Sequence, residues 1–187
     1  MEITKKLSPN FSARGIYKPE IIVLHIMQGT LDGTTSWFLS PTSQVSSTYG
    51  VSRDGRIVQF VEESNMAWAN GNLRNPTFKL MKPGVNPNLY TISIECAGND
   101  LAQWTEEQLQ LLRDLIRDVA TRNSIPIDRD HIIGHFEIDG VNRPFCPSPD
   151  HAIVDRVVAS LQTNDLVCVM CPKSKVELIK SIINALK

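Results

Sequence analysis

Ile21-Ile22-Val23-Leu24-His25-Ile26-Met27 is the stretch that decides the fold. It is β-branched and almost wholly apolar. A strand with one wet face would alternate polar and apolar residues; an unbroken run belongs to a strand buried on both faces at the centre of a sheet. Pro19-Glu20 leads into it and Gln28-Gly29-Thr30 ends it. Further along, Thr34 to Leu39 reads as a short helix stopped by Pro41. Tyr49-Gly50-Val51-Ser52 and Ile57-Val58-Gln59-Phe60-Val61 flank Arg53-Asp54-Gly55-Arg56, whose Asp-Gly step predicts a hairpin. Residues Ala67 to Asn88 are rich in Asn, Gly and Pro and read as a long functional loop. Tyr90-Thr91-Ile92-Ser93-Ile94-Glu95 alternates as a strand, with Ser93 and Glu95 on one face.

The second half is more helical. Thr105-Glu106-Glu107-Gln108 is a capping box followed by Leu109, Leu112, Ile116 and Val119 at helical spacing. Ile132-Ile133 predicts a short buried strand, and Ala152 to Leu161 a further helix with Ile153, Val157 and Leu161 on one face. Strands interleaved with helices predict an α/β fold: a single mixed sheet, its central strands largely parallel, flanked by helices on both faces. A break is expected at Gln162-Thr163-Asn164-Asp165, then a short run Leu166–Met170 and Cys171-Pro172. Ser174-Lys175-Val176-Glu177 opens a last helix with Val176, Ile179, Ile183 and Leu186 behind it. The expected division is therefore a main domain over 1–162 and a short extension over 163–187, its apolar stripe suited to docking or to a homo-oligomer.

A chain of 187 residues is long enough for one domain with a full core. Its formal charge of −1 argues against a nucleic-acid binder, since phosphate affinity needs a basic surface. No apolar run reaches the length of a membrane span. The first residues carry Lys5 and Lys6 with no apolar segment behind them, so the chain is expected to stay in the cytoplasm unless another route releases it. Cys96, Cys146, Cys168 and Cys171 are too sparse for a disulfide scaffold, which leaves metal binding or burial.

The chemistry concentrates in His131-Ile132-Ile133-Gly134-His135-Phe136-Glu137 and Arg143-Pro144-Phe145-Cys146-Pro147-Ser148-Pro149. Imidazole and thiolate both suit Zn²⁺, and a catalytic zinc needs three protein ligands with a fourth position open. His135 and Cys146 offer two. His25, His131 and His151 compete for the third. His25 sits near the C-terminal end of its strand, where α/β sheets place their ligands, although a lone histidine in an apolar strand also fits a core role. His131 is weaker, lying across a presumed strand from His135.

These residues carry a resemblance. Ile22-Val23-Leu24-His25, Ser46 to Gln59, Ala67-Trp68-Ala69-Asn70-Gly71, Ile92-Ser93-Ile94-Glu95, and Gly134-His135 through Cys146-Pro147 resemble, in order, five blocks of the zinc-dependent N-acetylmuramoyl-L-alanine amidases. That family spans phage endolysins, bacterial wall-recycling amidases and peptidoglycan recognition proteins, and the likeness covers roughly residues 15–160. It implies Zn²⁺ held by His25, His135 and Cys146, Glu95 as the catalytic carboxylate, and a peptidoglycan or muropeptide substrate near Thr48, Trp68 and Asn70. It implies a setting in a host bacterium, with release to the wall through a membrane lesion made by a partner, or else a cytoplasmic recycling role.

The chain also departs from the family pattern. Where many relatives carry a lysine two residues before the third ligand, this chain has Pro144; Arg143 is the nearest cation and the candidate replacement. Thr48 stands where histidine is frequent, Ser47 where some phage members have tyrosine, and Tyr49 reads as core. Two rival readings remain. His135-Phe136-Glu137 with Cys168-Val169-Met170-Cys171 weakly resembles a zinc deaminase motif, but Val167 replaces its proline. A wall-binding module of the same fold would need no general base, and Glu95 argues against it.

Overall fold

The structure, a computed structural model, describes residues 1–170. In chain order its regular elements are β1 (Thr4–Lys5), β2 (Phe11–Ala13), β3 (Ile21–Ile26), α1 (Leu31–Leu39), β4 (Tyr49–Val51), β5 (Ile57–Gln59), β6 (Asn65–Ala67), β7 (Thr91–Cys96), α2 (Glu106–Asn123), β8 (Ile132–Gly134) and α3 (Ala152–Met170). Six strands form one sheet in the order β1-β5-β4-β7-β3-β8, and β2 pairs with β6 apart from it. Every pairing in the large sheet is parallel except the β4/β5 hairpin, the unit predicted around Asp54-Gly55. Each residue of β3 is buried, as an interior strand requires.

Strand periodicity sorts the side chains into two layers. Ile22, Leu24 and Ile26 of β3, with Ile92, Ile94 and Cys96 of β7, face Leu112, Leu115, Ile116 and Val119 of α2 and Val154, Val157 and Leu161 of α3. The intervening residues face the other way. There Ile21, Val23 and Ile133 pack with Phe78, Tyr90 and Ile138, so the long loop after β6 covers this half of the sheet with its own apolar residues. His25 and Glu95 continue the same face, and they are direct register partners in β3 and β7.

Helix α1 covers the rest of that face. It starts earlier than the sequence suggests, because Thr30 caps it by accepting from Gly33 N at 3.2 Å. Gly50, the β4 register partner of Glu95, lets α1 approach the sheet. A Cβ there would lie 2.8 Å from both Leu31 Cδ1 and Phe60 Cε2, side chains that are 1% and 0% exposed. Gly50→Ala is therefore expected to destabilise the fold by about 1–3 kcal/mol through overpacking. Urea unfolding checks it: the midpoint should fall with little change in slope.

Thr105 caps α2 as the sequence predicts, accepting from Gln108 N at 3.2 Å. At α3 the structure corrects the reading. The helix runs through Gln162-Thr163-Asn164-Asp165 instead of breaking there, so the boundary expected at residue 162 falls inside it. Polar residues without Pro or Gly do not stop a helix, and the Thr163 hydroxyl donates back to Ala159 O at 3.1 Å. Cys171 and the helix expected from Ser174 onward lie outside the described residues. Among those described, no helix is long and apolar enough to cross a membrane.

Candidate metal centre

The three presumed ligands arrive from three segments. His25 is the penultimate residue of β3, and His135 directly follows β8, so both stand at the carboxyl ends of adjacent parallel strands. Cys146 comes from the loop beyond. That loop is folded back by Phe136 N donating to Cys146 O at 2.9 Å and by Cys146 N donating to Arg143 O at 3.1 Å. Asp139 shapes the intervening turn, its carboxylate accepting from Val141 N and Asn142 N at 3.2 and 2.8 Å. The ligand atoms of His25, His135 and Cys146 all lie within 4.8 Å of one another.

Two nitrogens and one sulfur at this separation are a donor set that suits Zn²⁺, leaving one tetrahedral position for another group. The electrostatics fit a cation too. Burial pulls His25 well below the usual imidazole range, and His135 beside it works in the same direction. Burial also pulls His135 down to about 4. Both rings are therefore neutral at pH 7, the form that donates a lone pair. Burial, with Glu95 adding to it, pushes the Cys146 thiol up to about 12, so a thiolate here requires a compensating positive charge. The residues present fit the ion.

Glu95 lies beside this cluster. Its Oε1 is 3.8 Å from His25 Nδ1, beyond hydrogen-bond reach, and its Oε2 is buried with no partner among the described residues. Burial pushes this carboxyl up to about 7, with Arg143 pulling the other way. A carboxyl with one oxygen buried and unbonded at the edge of a cleft is placed to exchange a proton rather than to hold structure. The cleft above it encloses about 300 Å³ and is lined by His25, Glu95, His135, Arg143 and Cys146, with Trp68 and Trp37 among its walls. A neighbouring hollow of about 340 Å³ shares Glu95 and Trp37 and extends along α1.

His25, His135 and Cys146 come together as expected of a ligand set, but not every residue expected around them reaches the cleft. Thr48 and Asn70, expected at the substrate, are both 0% exposed and absent from the cleft lining. Thr48 Oγ1 accepts from Ser93 N at 3.4 Å between strands, so it has no face toward the cleft. Asn70 is bonded instead to both histidines, its Oδ1 to His25 Nε2 and its main-chain O to His135 Nε2, each at 3.1 Å. Trp68 does line the cleft, while its Nε1 donates to Ser12 Oγ at 2.9 Å, so it is wall and anchor together. His131 bonds Asp128 at 2.7 Å, and His151 stacks on Phe136 with ring centroids 3.7 Å apart; neither joins the cluster. Glu137 accepts from Gly134 N and Arg129 Nη2, both at 2.8 Å, and holds the turn. Tyr49 is buried, its hydroxyl donating to Glu63 Oε1 at 2.7 Å. Trp37 and Arg14 belong to no sequence motif that marks a function.

Residues 16–149 match the family profile described as N-acetylmuramoyl-L-alanine amidase. The chain belongs to that family. N-acetylmuramoyl-L-alanine amidase A of Achromobacter lyticus is 30% identical over 107 residues, which are 56% of this chain and 52% of that protein. The chain thus spans about half the length of the curated relative it matches. Among solved structures, the fold of this amidase-family chain overlaps an AmpD derivative with TM-score 0.66 at 24% identity, covering 83% of this chain and 94% of that one. A mutant endolysin from Bacillus subtilis overlaps with TM-score 0.67 at 16% identity, covering 86% and 99%. The amidase fold expected from the sequence is the fold observed.

Proposed function

We propose that the chain is a zinc-dependent hydrolase of the amide bond joining the lactyl carboxyl of N-acetylmuramic acid to L-alanine in peptidoglycan. One observation carries this reading: two neutral imidazoles and a thiol, their ligand atoms within 4.8 Å, converge beside Glu95, whose Oε2 is buried with no hydrogen-bond partner among the described residues. Family membership supports the choice of bond. His25, His135 and Cys146 would hold the ion, which when bound supplies Lewis acidity to a carbonyl oxygen and to water alike. Glu95 takes the proton of the attacking water and returns it to the departing nitrogen, because an amine leaves poorly unprotonated. A carboxyl near 7 can serve both halves of that exchange. Arg143, on the cleft wall, offers positive charge to the carbonyl oxygen as it becomes negative, in place of the lysine displaced by Pro144. Trp68 and Trp37 bound the cleft into which the substrate enters.

Insoluble wall and soluble muropeptides both contain this bond, so one experiment tests the chemistry and separates two settings. The zinc-supplemented full chain is incubated with purified walls and with muropeptides, and new termini are identified by mass spectrometry. Free L-alanine N-termini and free lactyl carboxyls are expected, lost with a chelator and restored by zinc. Preference for walls fits a phage lysin made in the host cytoplasm and released by a membrane-disrupting partner. Preference for muropeptides fits a cytoplasmic recycling enzyme. Tight wall binding with no new termini would leave only a binding module.

A further inference from the structure

Asn70 holds each histidine with a different part of itself. His135 Nε2 lies 3.1 Å from the main-chain O of Asn70, and a main-chain carbonyl only accepts, so that ring nitrogen carries the proton. The side chain treats His25 in the same way. Asn70 Nδ2 donates to Thr91 Oγ1 at 2.8 Å, which turns Oδ1 toward His25 Nε2 at 3.1 Å. With Nε2 protonated in both rings, the lone pair of each is on Nδ1. In His25 that is the nitrogen on the Glu95 side. Asn70 is itself held firmly: it is 0% exposed, and its N donates to Asn88 Oδ1 at 2.9 Å.

We infer that Asn70 is a positioning residue that sets the tautomer and orientation of both ligand histidines, using its amide oxygen for His25 and its own main chain for His135. The inference rests on the zinc reading above. It has a consequence that a merely structural asparagine would not share: deleting the side chain affects one histidine and spares the other. Partners of this kind commonly change metal affinity about 10–100-fold when removed.

Two variants of the full chain separate the roles. Asn70→Leu and Asn70→Asp both lose the donation to Thr91, but only the aspartate keeps an oxygen for His25 Nε2. Zinc affinity, measured by chelator competition, is expected to fall about 10–100-fold in Asn70→Leu and to be largely retained in Asn70→Asp. Side-chain ¹⁵N–¹H spectra of the histidines should show Nε2–H on both rings in the unaltered chain. In Asn70→Leu, His25 should lose that single form while His135 keeps it. Equal losses in the two variants, or no loss in either, would overturn the inference, as would Nδ1–H on either ring of the unaltered chain. If the unaltered chain takes up no zinc, the metal reading fails instead, and the ring spectra still decide the tautomers.

Discussion

Glu95→Gln is expected to lower kcat by about 10²–10⁴-fold, the range lost with a positioned general base, while zinc content stays unchanged. The reasoning is local. The clustered donors are His25, His135 and Cys146, and Glu95 is not among them. Glutamine has nearly the same shape and cannot take up the proton. Stability should change little, because Glu95 Oε2 has no hydrogen-bond partner among the described residues to lose. Measuring turnover and bound zinc on the same preparation makes the result decisive. Near-normal turnover would remove Glu95 from the mechanism. Joint loss of turnover and zinc would make it a ligand rather than a base.

The second large effect is expected at a residue outside the cleft lining. Arg14 is 3% exposed, and its guanidinium donates to four main-chain carbonyls. Those carbonyls belong to Glu63 at 2.8 Å, Asn88 and Leu89 at 2.8 Å each, and Thr91 at 2.7 Å. Burial pulls Arg14 down to about 10, against the nearby Glu63, so it remains charged at neutral pH. Arg14→Met leaves these acceptors without their shared donor, and the expected loss is about 3–5 kcal/mol of unfolding free energy. Arg14→Lys should recover little, since a point-like ammonium cannot span the four positions that a planar guanidinium reaches. Chemical denaturation measures both, and a loss under about 1 kcal/mol in Arg14→Met would show that water or other donors replace the clamp. The clamp also reaches the metal centre indirectly: Asn88, whose O it holds, accepts Asn70 N and Ala69 N at its Oδ1.

The parts legible in the sequence share a property: each is fixed by residues close together in the chain. β3 was visible because six consecutive buried residues leave no polar alternation. The α2 cap was visible because Thr105 and Gln108 lie one turn apart. The choice of His25 as third ligand, and the place of Glu95, came from the family resemblance, since nothing in their spacing from His135 and Cys146 indicates contact. Misreadings arose where a side chain's direction mattered. Thr48 and Asn70 occupy the right neighbourhood, but both turn into the protein rather than toward the cleft. The break placed at residues 162–165 gave polar composition too much weight in the absence of a true helix breaker.

An α/β sheet with a buried central strand is legible in the sequence alone, as are His135 and Cys146 as candidate donors, because burial, periodicity and donor chemistry are written in neighbouring residues. Only the tertiary structure decided that His25 and Glu95 stand side by side, that Cys146 folds back to meet His135, and that Asn70 bonds both rings. The physical reason is the register of parallel strands. Hydrogen bonding between β3, β7 and β8 aligns residues remote in sequence to within a strand spacing, and no local pattern encodes that alignment.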